Sequence, residues 1–207
     1  MLVEVNEYNI DKRIIEQAVS ILESGGIIIF PTDTVYAMGC DLYNKKALNE
    51  LAAMKGEKLN KVNFSILCHD LKHLSDYVKP IDRPTFKLLK QNSPGPFTFI
   101  LNANNDVPKL FDSKKKEIGI RIPGNAIISA VIEELGRPIA TTSLHNEEDT
   151  LLDYFTDPNE IYDRFENNQH IKMIIDGGLG RLEASTVVDC TGDEFKIVRQ
   201  GLGLLDL

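Results

Sequence analysis

The sequence predicts an α/β fold in which helices flank a twisted, open, mixed β-sheet. Strand-like and helix-like segments alternate along the whole chain, which is typical of α/β proteins. The 207 residues are 43% hydrophobic and 26% charged, which is enough apolar chain for a substantial core. No linker rich in proline, glycine and serine divides the chain, so we expect a single domain over residues 1–207.

The first two elements are predicted to be an amphipathic helix and a buried strand. Residues 11–24 carry an apolar stripe at helical spacing that ends at Gly25 and Gly26. Residues 26–30 form a continuous apolar run that is too short for a helix and ends at Pro31. Because this run does not alternate with polar residues, it predicts a strand covered on both faces.

The remaining elements follow in alternation. A second apolar stretch at residues 35–40 precedes a helix at 45–54. Further strands are predicted at residues 64–68, 97–101, 118–122, 139–142, 173–175, 186–189 and 196–199. Further helices are predicted at residues 71–77, 83–91, 126–135 and 158–165. Residues 145–157, where charge is dense and the apolar pattern lapses, are expected to be the least ordered.

Membrane and secretory classes are excluded by the apolar pattern. The longest apolar run is far shorter than the roughly 20 residues that cross a bilayer. The first residues lack a basic and then apolar leader, so we expect a cytoplasmic protein with no membrane partner. The three cysteines, Cys40, Cys68 and Cys190, are distant and form no Cys-x-x-Cys pair, which predicts reduced, buried thiols.

One histidine pair imitates a zinc motif. His69 and His73 have the spacing of a His-Glu-x-x-His helix, but they follow a strand-like segment. Asp70 is predicted to cap a new helix, which would leave His69 outside it. We therefore predict no protein metal site.

The net charge of −8 is unevenly distributed. Residues 145–170 contain eight acidic side chains and one basic side chain, Arg164. The rest of the chain is close to neutral, so a basic concave face is compatible with an acidic protein.

Polar clusters lie at the ends of predicted strands, where open α/β sheets bind ligands. Phosphate-loop and dinucleotide-binding patterns are absent from the sequence. The polar clusters lie at residues 31–36, 93–98, 121–123, 141–143 and 184–186, and at Arg199. Each alone is ordinary turn chemistry. Together their hydroxyls, backbone N–H groups and arginines suit an anionic ligand such as a triphosphate.

Five segments resemble, in order and spacing, the YrdC/YciO family, and especially its YciO branch. They are residues 25–40 (GGIIIFPTDTVYAMGC), 94–101 (PGPFTFIL), 118–123 (IGIRIP), 184–189 (ASTVVD) and 197–201 (IVRQG). The resemblance implies a YrdC-like fold with a positively charged concave groove. It also implies an ATP-dependent nucleotidyltransferase, threonylcarbamoyl-AMP synthase, which makes threonylcarbamoyl-adenylate and pyrophosphate from L-threonine, bicarbonate and ATP for a tRNA modification. ATP would be a substrate, accompanied by Mg²⁺.

The same resemblance assigns residue roles. Lys55 and Arg199 would spread the phosphate charge as the carboxylate of N-carboxythreonine attacks the α-phosphorus. The residues expected to bind ATP or substrate are Thr32, Thr34, Tyr36, Arg121, Thr142, Ser143, Ser185 and Thr186.

Two positions depart from the family pattern. The family's Lys-x-Arg reads Lys55, Gly56, Glu57, and its Ser-x-Asn ends at His145. Glu57 would place an anion where phosphates are expected, so Lys58 or Lys61 would have to supply the missing cation. These departures leave an alternative, in which the groove binds double-stranded RNA or tRNA and catalysis is weak or lost. A third reading takes the polar clusters as structural turns.

Overall fold

A computed structural model describes residues 1–145 and 154–206. The strands are β1 (Leu2–Glu4), β2 (Ile27–Phe30), β3 (Ala37–Asp41), β4 (Ser65–Leu67), β5 (Phe97–Asn102), β6 (Glu117–Arg121), β7 (Ile139–Ser143), β8 (Ile171–Asp176), β9 (Thr186–Asp189) and β10 (Lys196–Arg199). The helices are α1 (Lys12–Glu23), α2 (Lys45–Met54), α3 (Leu71–Ser75), α4 (Arg83–Asn92), α5 (Val107–Leu110), α6 (Ala126–Leu135) and α7 (Pro158–Phe165).

All ten strands form one sheet, in the order β1-β8-β2-β3-β7-β4-β6-β5-β9-β10. Four neighbouring pairs are parallel: β1 with β8, β2 with β8, β4 with β6, and β5 with β9. The other five pairs are antiparallel. The predicted α/β class with a mixed sheet is therefore confirmed.

The predicted helices and strands are confirmed, with small differences at their ends. Two short elements were not predicted, β1 and α5. β1 has three residues and pairs with β8, which lies far along the chain. A strand this short has no periodic pattern from which it could be predicted. Residues 146–153, which include most of the segment expected to be least ordered, lie outside the described residues. None of the described helices is long and apolar enough to cross a membrane.

Helix starts follow the capping chemistry of the sequence. The side chains of six N-cap residues accept a hydrogen bond from the first turn, as expected for aspartate and asparagine. They are Asp11, Asn44, Asp70, Asp82, Asn125 and Asp157. Asp70 caps α3, which confirms that His69 lies outside this helix. The three cysteines are free and buried, as predicted, and burial raises the pKa of each thiol.

The two faces of the sheet are covered unequally. One face packs against α2, α3, α4, α5 and α7 along most of the sheet. On the other face, α1 and α6 form a separate core with β8, β2, β3 and the adjoining ends of β7 and β4. Among the described residues, none from β5, β6 or β9 belongs to this second core. β2 lies between both cores with all four residues buried, which confirms the strand predicted to be covered on both faces.

We predict that Ile128→Ala lowers the free energy of unfolding by about 2–5 kcal/mol, because removing a buried side chain leaves a cavity. Ile128 is fully buried in the core between α6 and the sheet. Glu134→Ala, on the exposed side of the same helix, should change it by no more than about 0.5 kcal/mol. Urea denaturation of both variants checks this, and equal losses would contradict the assigned packing of α6.

Candidate anion-binding site

A cavity of about 720 Å³ lies over the part of the sheet that α1 and α6 leave uncovered. Its walls come from β3 to β7, β9 and β10 and from the segments beside α5. The cationic side chains in its lining are Lys55, Lys115, Lys116, Arg121 and Arg199. Glu117 is the carboxylate among the lining residues of the described chain. The cavity is thus positively charged in a protein of net charge −8, as expected for a site that binds anions.

The floor of the cavity is formed by small residues in register on neighbouring strands. Ser65 of β4 pairs with Gly119 of β6 on one side and with Thr141 of β7 on the other. Paired residues point to the same face of a sheet, so these three line one row. A Cβ atom on Gly119 would lie 2.8 Å from Ser65 Oγ. Glycine at this position therefore keeps the floor open.

A buried ion pair holds Arg121 at the end of β6. Its Nη2 donates to Asp33 Oδ1 at 2.5 Å, and its Nη1 donates to Thr34 Oγ1 at 2.9 Å. Burial lowers the pKa of Arg121, while Asp33 opposes that shift, and an arginine stays charged in either case. Arg121 Nε and Asp33 Oδ2 are buried without a partner in the described residues. Arg121 lines the cavity, and its positive charge favours an anionic ligand there.

Thr32 and Thr34 belong to the same hydrogen-bond chain. Thr32 Oγ1 donates its hydrogen to Val35 O at 2.7 Å. The 3.0 Å contact between the two hydroxyls must then be a donation from Thr34 to Thr32. Both hydroxyl hydrogens are thus already used, and the pair supports Arg121. Thr32 lines the cavity, whereas Thr34 is fully buried.

Arg199 of β10 is held by Ser185, which precedes β9. Its Nε and Nη2 donate to Ser185 O at 3.2 and 2.7 Å. Ser185 Oγ lies 2.9 Å from Thr98 Oγ1. This hydrogen bond joins the start of β9 to β5 at the cavity floor. Within the described residues Nη1 of Arg199 makes no hydrogen bond, so this group is available to a ligand.

The end of α2 decides which side chains of the Lys-Gly-Glu segment meet the cavity. Gly56 has a φ of +68°, its N–H donates to Ala53 O, and the N–H of Glu57 donates to Ala52 O. This is the Schellman arrangement, in which glycine ends a helix and reverses the chain. Lys55 consequently lines the cavity, and Glu57 is exposed outside its lining.

The structure places the other sequence-predicted residues in two groups. Thr142 and Ser143 line the cavity together with Lys55, Arg121, Ser185 and Arg199. The residues that lie outside the cavity lining are Tyr36, Lys58, Lys61 and Thr186. Their binding roles stay predictions.

Tyr36 and Thr186 have structural partners instead. The Tyr36 hydroxyl donates to Gly178 O at 2.7 Å and accepts from Gly177 N at 3.1 Å. Burial raises the pKa of Tyr36 to about 12, so its hydroxyl stays protonated at neutral pH. Thr186 Oγ1 donates to Gly203 O at 2.7 Å and anchors the C-terminal segment.

Sequence reasoning missed several lining residues. Thr98 lies in a polar cluster that was recognised without being assigned a role. Lys115 and Lys116 belong to a run of three lysines whose position relative to the groove no local pattern reveals. Ser65 begins the three-residue strand β4, and Thr141 belongs to the polar cluster at residues 141–143 that has no role assigned to this threonine.

The described residues contain no group of three or more His, Cys, Asp or Glu side chains that could hold a metal ion. Mg²⁺ usually reaches phosphate-binding sites through substrate phosphates with only one or two protein carboxylates. The single carboxylate of Glu117 in the lining therefore fits a metal that enters with a nucleotide and does not fit a dedicated protein cage.

The chain is similar to proteins of one family over nearly its whole length. A family model for Sua5, YciO and YrdC proteins, described as "Telomere recombination", matches residues 20–201. The uncharacterized protein YciO of Escherichia coli is 39% identical over 196 residues, which cover 94% of this chain and 92% of that protein. The crystal structure of YciO matches with a TM-score of 0.85 over 98% of this chain and 95% of that chain.

More distant similarities carry functional names. Threonylcarbamoyl-AMP synthase of Nitrosococcus oceani is 29% identical over 126 residues, covering 61% of this chain and 68% of that protein. The crystal structure of P. abyssi Sua5 complexed with L-threonine matches with a TM-score of 0.85 at 27% identity. This match covers 97% of this chain and 57% of the longer Sua5 chain.

We predict that Asp33→Ala lowers the free energy of unfolding by about 3–5 kcal/mol, because it leaves a buried charge on Arg121 uncompensated. The Asp33 and Arg121 side chains are only 15% and 8% exposed. Glu16→Ala is the matched control, because it breaks an exposed ion pair with Lys12 and should cost less than about 1 kcal/mol. Equally small losses in urea denaturation would contradict a structural role for the buried pair.

Proposed function

Because the chain belongs to the Sua5/YciO/YrdC family, we propose that it is an ATP-dependent nucleotidyltransferase similar to threonylcarbamoyl-AMP synthase. The reaction would join L-threonine, bicarbonate and ATP into threonylcarbamoyl-adenylate, with release of pyrophosphate, for threonylcarbamoyl modification of tRNA. Relatives named threonylcarbamoyl-AMP synthase and the Sua5 structure with L-threonine support this proposal.

The observation that carries the proposal is the concentration of positive charge and hydroxyl groups in one cavity of an acidic protein. Arg121 and Arg199 are each held by protein acceptors, and Nη1 of Arg199 makes no hydrogen bond within the described chain. Donors fixed in this way need little reorganisation when charge develops on a ligand. An ATP triphosphate and a threonine carboxylate are both anions that such donors recognise.

In the proposed reaction, the amine of threonine bonds to the carbon of bicarbonate, a C–O bond of bicarbonate breaks with release of water, and N-carboxythreonine forms. One oxygen of its new carboxylate attacks the α-phosphorus of ATP, and the bond from this phosphorus to the bridging oxygen of pyrophosphate breaks. Lys55 and Arg199 would stabilise the charge that develops on the phosphate oxygens. Arg121, fixed by Asp33 and Thr34, would orient an anionic group of the substrate. Mg²⁺ would enter with ATP and neutralise part of the triphosphate charge.

Pyrophosphate release tests the proposal directly. We expect release that requires ATP, bicarbonate and L-threonine together, because the adenylate contains atoms from all three. Omission of each substrate in turn is the control, and formation of threonylcarbamoyl-adenylate can be followed by mass spectrometry. Release that is independent of threonine would contradict the proposed acceptor.

Lys55→Ala tests whether ATP occupies this cavity. We expect ATP binding or turnover to fall by more than about tenfold, since one charge-assisted contact is lost. The melting temperature should change little, because Lys55 is partly exposed at the end of α2. Lys87→Ala, an exposed lysine of α4 outside the cavity, is the control. Unchanged nucleotide affinity by calorimetry would remove Lys55 from the site.

Binding of double-stranded RNA or tRNA is a second candidate. It is favoured by the exposed lysines at positions 114–116, which extend positive charge from the cavity to the surface. We expect weak binding whose log affinity falls linearly with log salt concentration, because neutralised phosphates release counterions. The net charge of −8 keeps this binding weak. Titration with duplex RNA at low salt checks it, and no binding would eliminate this candidate for the isolated chain.

A further inference from the structure

Lys115 is an exposed lysine that lines the cavity. It lies between α5 and β6, opposite the segment that joins Lys55 to β4. We propose that Lys115 supplies the second phosphate-binding cation beside Lys55, in place of the arginine that the family motif has at the position of Glu57. This inference rests on the proposed function, because its ligand is the triphosphate of ATP.

The ammonium group of Lys115 contacts three acceptors on the segment that follows α2. Nζ donates to Lys61 O at 2.8 Å, to Val62 O at 3.3 Å and to Asn63 Oδ1. A lysine has three N–H donors, so the group is fully paired in the absence of ligand. The contact with Val62 O is the longest of the three. A phosphate oxygen would therefore replace this contact with the smallest loss of hydrogen-bond energy.

These contacts place a charge at the edge of the cavity. Asn63, Val62 and Lys115 all line it, together with Lys55 at the end of α2. Lys115 therefore connects two walls of the cavity, because its ammonium group contacts residues 61–63 between α2 and β4. Lys58 and Lys61, the residues that sequence reasoning proposed for this role, lie outside the lining.

The segment that carries Lys115 is anchored on both sides. Lys45 of α2 donates to Leu110 O at 3.1 Å and pairs with Asp112 at 2.7 Å. The carbonyl of Lys116 accepts from Ala103 N at 2.8 Å, which extends the β5–β6 ladder toward Lys115. The lysine backbone is thus held in place, and a ligand needs to reorder only its side chain.

Glu57 does not oppose this arrangement. The turn at Gly56 directs Glu57 away from the cavity lining and into solvent, where its charge is screened. The proposal therefore assigns the second phosphate-binding charge to position 115 and not to position 57, where the family motif has it. The charge at position 57 should matter little, and the charge at position 115 should matter strongly.

Calorimetric titration with inorganic tripolyphosphate and with ATP, in the absence of threonine, tests the proposal. We expect Lys115→Met to weaken both by about tenfold, the loss of one charge-assisted contact. Lys115→Arg, which keeps the charge, should bind within about threefold of the unchanged protein. Lys114→Met is the matched control, because Lys114 is an exposed neighbour of the same charge outside the cavity lining, and it should leave both affinities unchanged.

Glu57→Arg distinguishes the two positions. We expect it to change tripolyphosphate affinity by less than about threefold. A tenfold gain from Glu57→Arg, or unchanged affinity in Lys115→Met, would overturn the inference. A merely structural Lys115 would lower the melting temperature in the Met variant while leaving both affinities unchanged, and this result also counts against it.

Lys55→Ala separates failure of this inference from failure of the proposed function. If Lys55→Ala weakens ATP binding and Lys115→Met does not, only the role of Lys115 is wrong. If neither variant weakens binding, or if the unchanged protein binds neither tripolyphosphate nor ATP, the triphosphate does not occupy this cavity. In that case both proposals fail.

Discussion

The unequal covering of one sheet face is the constraint on which the candidate site depends. A sheet in a globular protein must bury its apolar faces. Among the described residues, five helices cover one face, whereas α1 and α6 cover the other, and their core reaches no further than the near ends of β7 and β4. The strands beyond them line the cavity with Thr98 and Gly119 as well as with the apolar side chains of Ile100 and Val187. The cavity therefore exists because the sheet is wider than the area that α1 and α6 cover. Its floor is formed by the side chains of the uncovered strands that point to this face.

Such an open polar face can hold charge because its charged groups are supported from within the fold. Arg121 is almost fully buried, and a buried guanidinium is costly without a partner. Asp33 provides the countercharge, and the Thr34 hydroxyl accepts a hydrogen bond from a second N–H group of Arg121. Thr32 accepts in turn from Thr34, within the turn after β2. Arg199 is oriented in the same manner by a backbone carbonyl. Nη1 of Arg199 makes no hydrogen bond among the described residues, so this arginine keeps a donor for a ligand.

The helix end at the Lys-Gly-Glu segment decides which side chains of this motif face the cavity. In sequence, Glu57 lies two residues after Lys55 and suggests repulsion between a carboxylate and a phosphate. The Schellman turn at Gly56 places the two side chains in different surroundings. The side chain that joins Lys55 in the cavity is instead Lys115, which lies across the fold in sequence. Charge in a binding site is thus distributed by tertiary packing, and neighbouring positions in a motif need not share a surface.

The sequence by itself determined the α/β class, most helices and strands, the cap at Asp70, and the polar clusters at strand ends. These features depend on local periodicity and on hydrogen bonds between near neighbours, which a single sequence contains. The segments at residues 25–40, 118–123 and 197–201 also indicated the family that the comparisons confirm. The tertiary structure alone decided that β1 joins the sheet edge and that the Tyr36 and Thr186 hydroxyls have partners far along the chain. It alone decided that Lys115 lies in the cavity while Lys58 and Lys61 lie outside it. The physical reason is that these outcomes depend on strand order and on contacts between segments far apart in the chain, and local propensity carries no information about either.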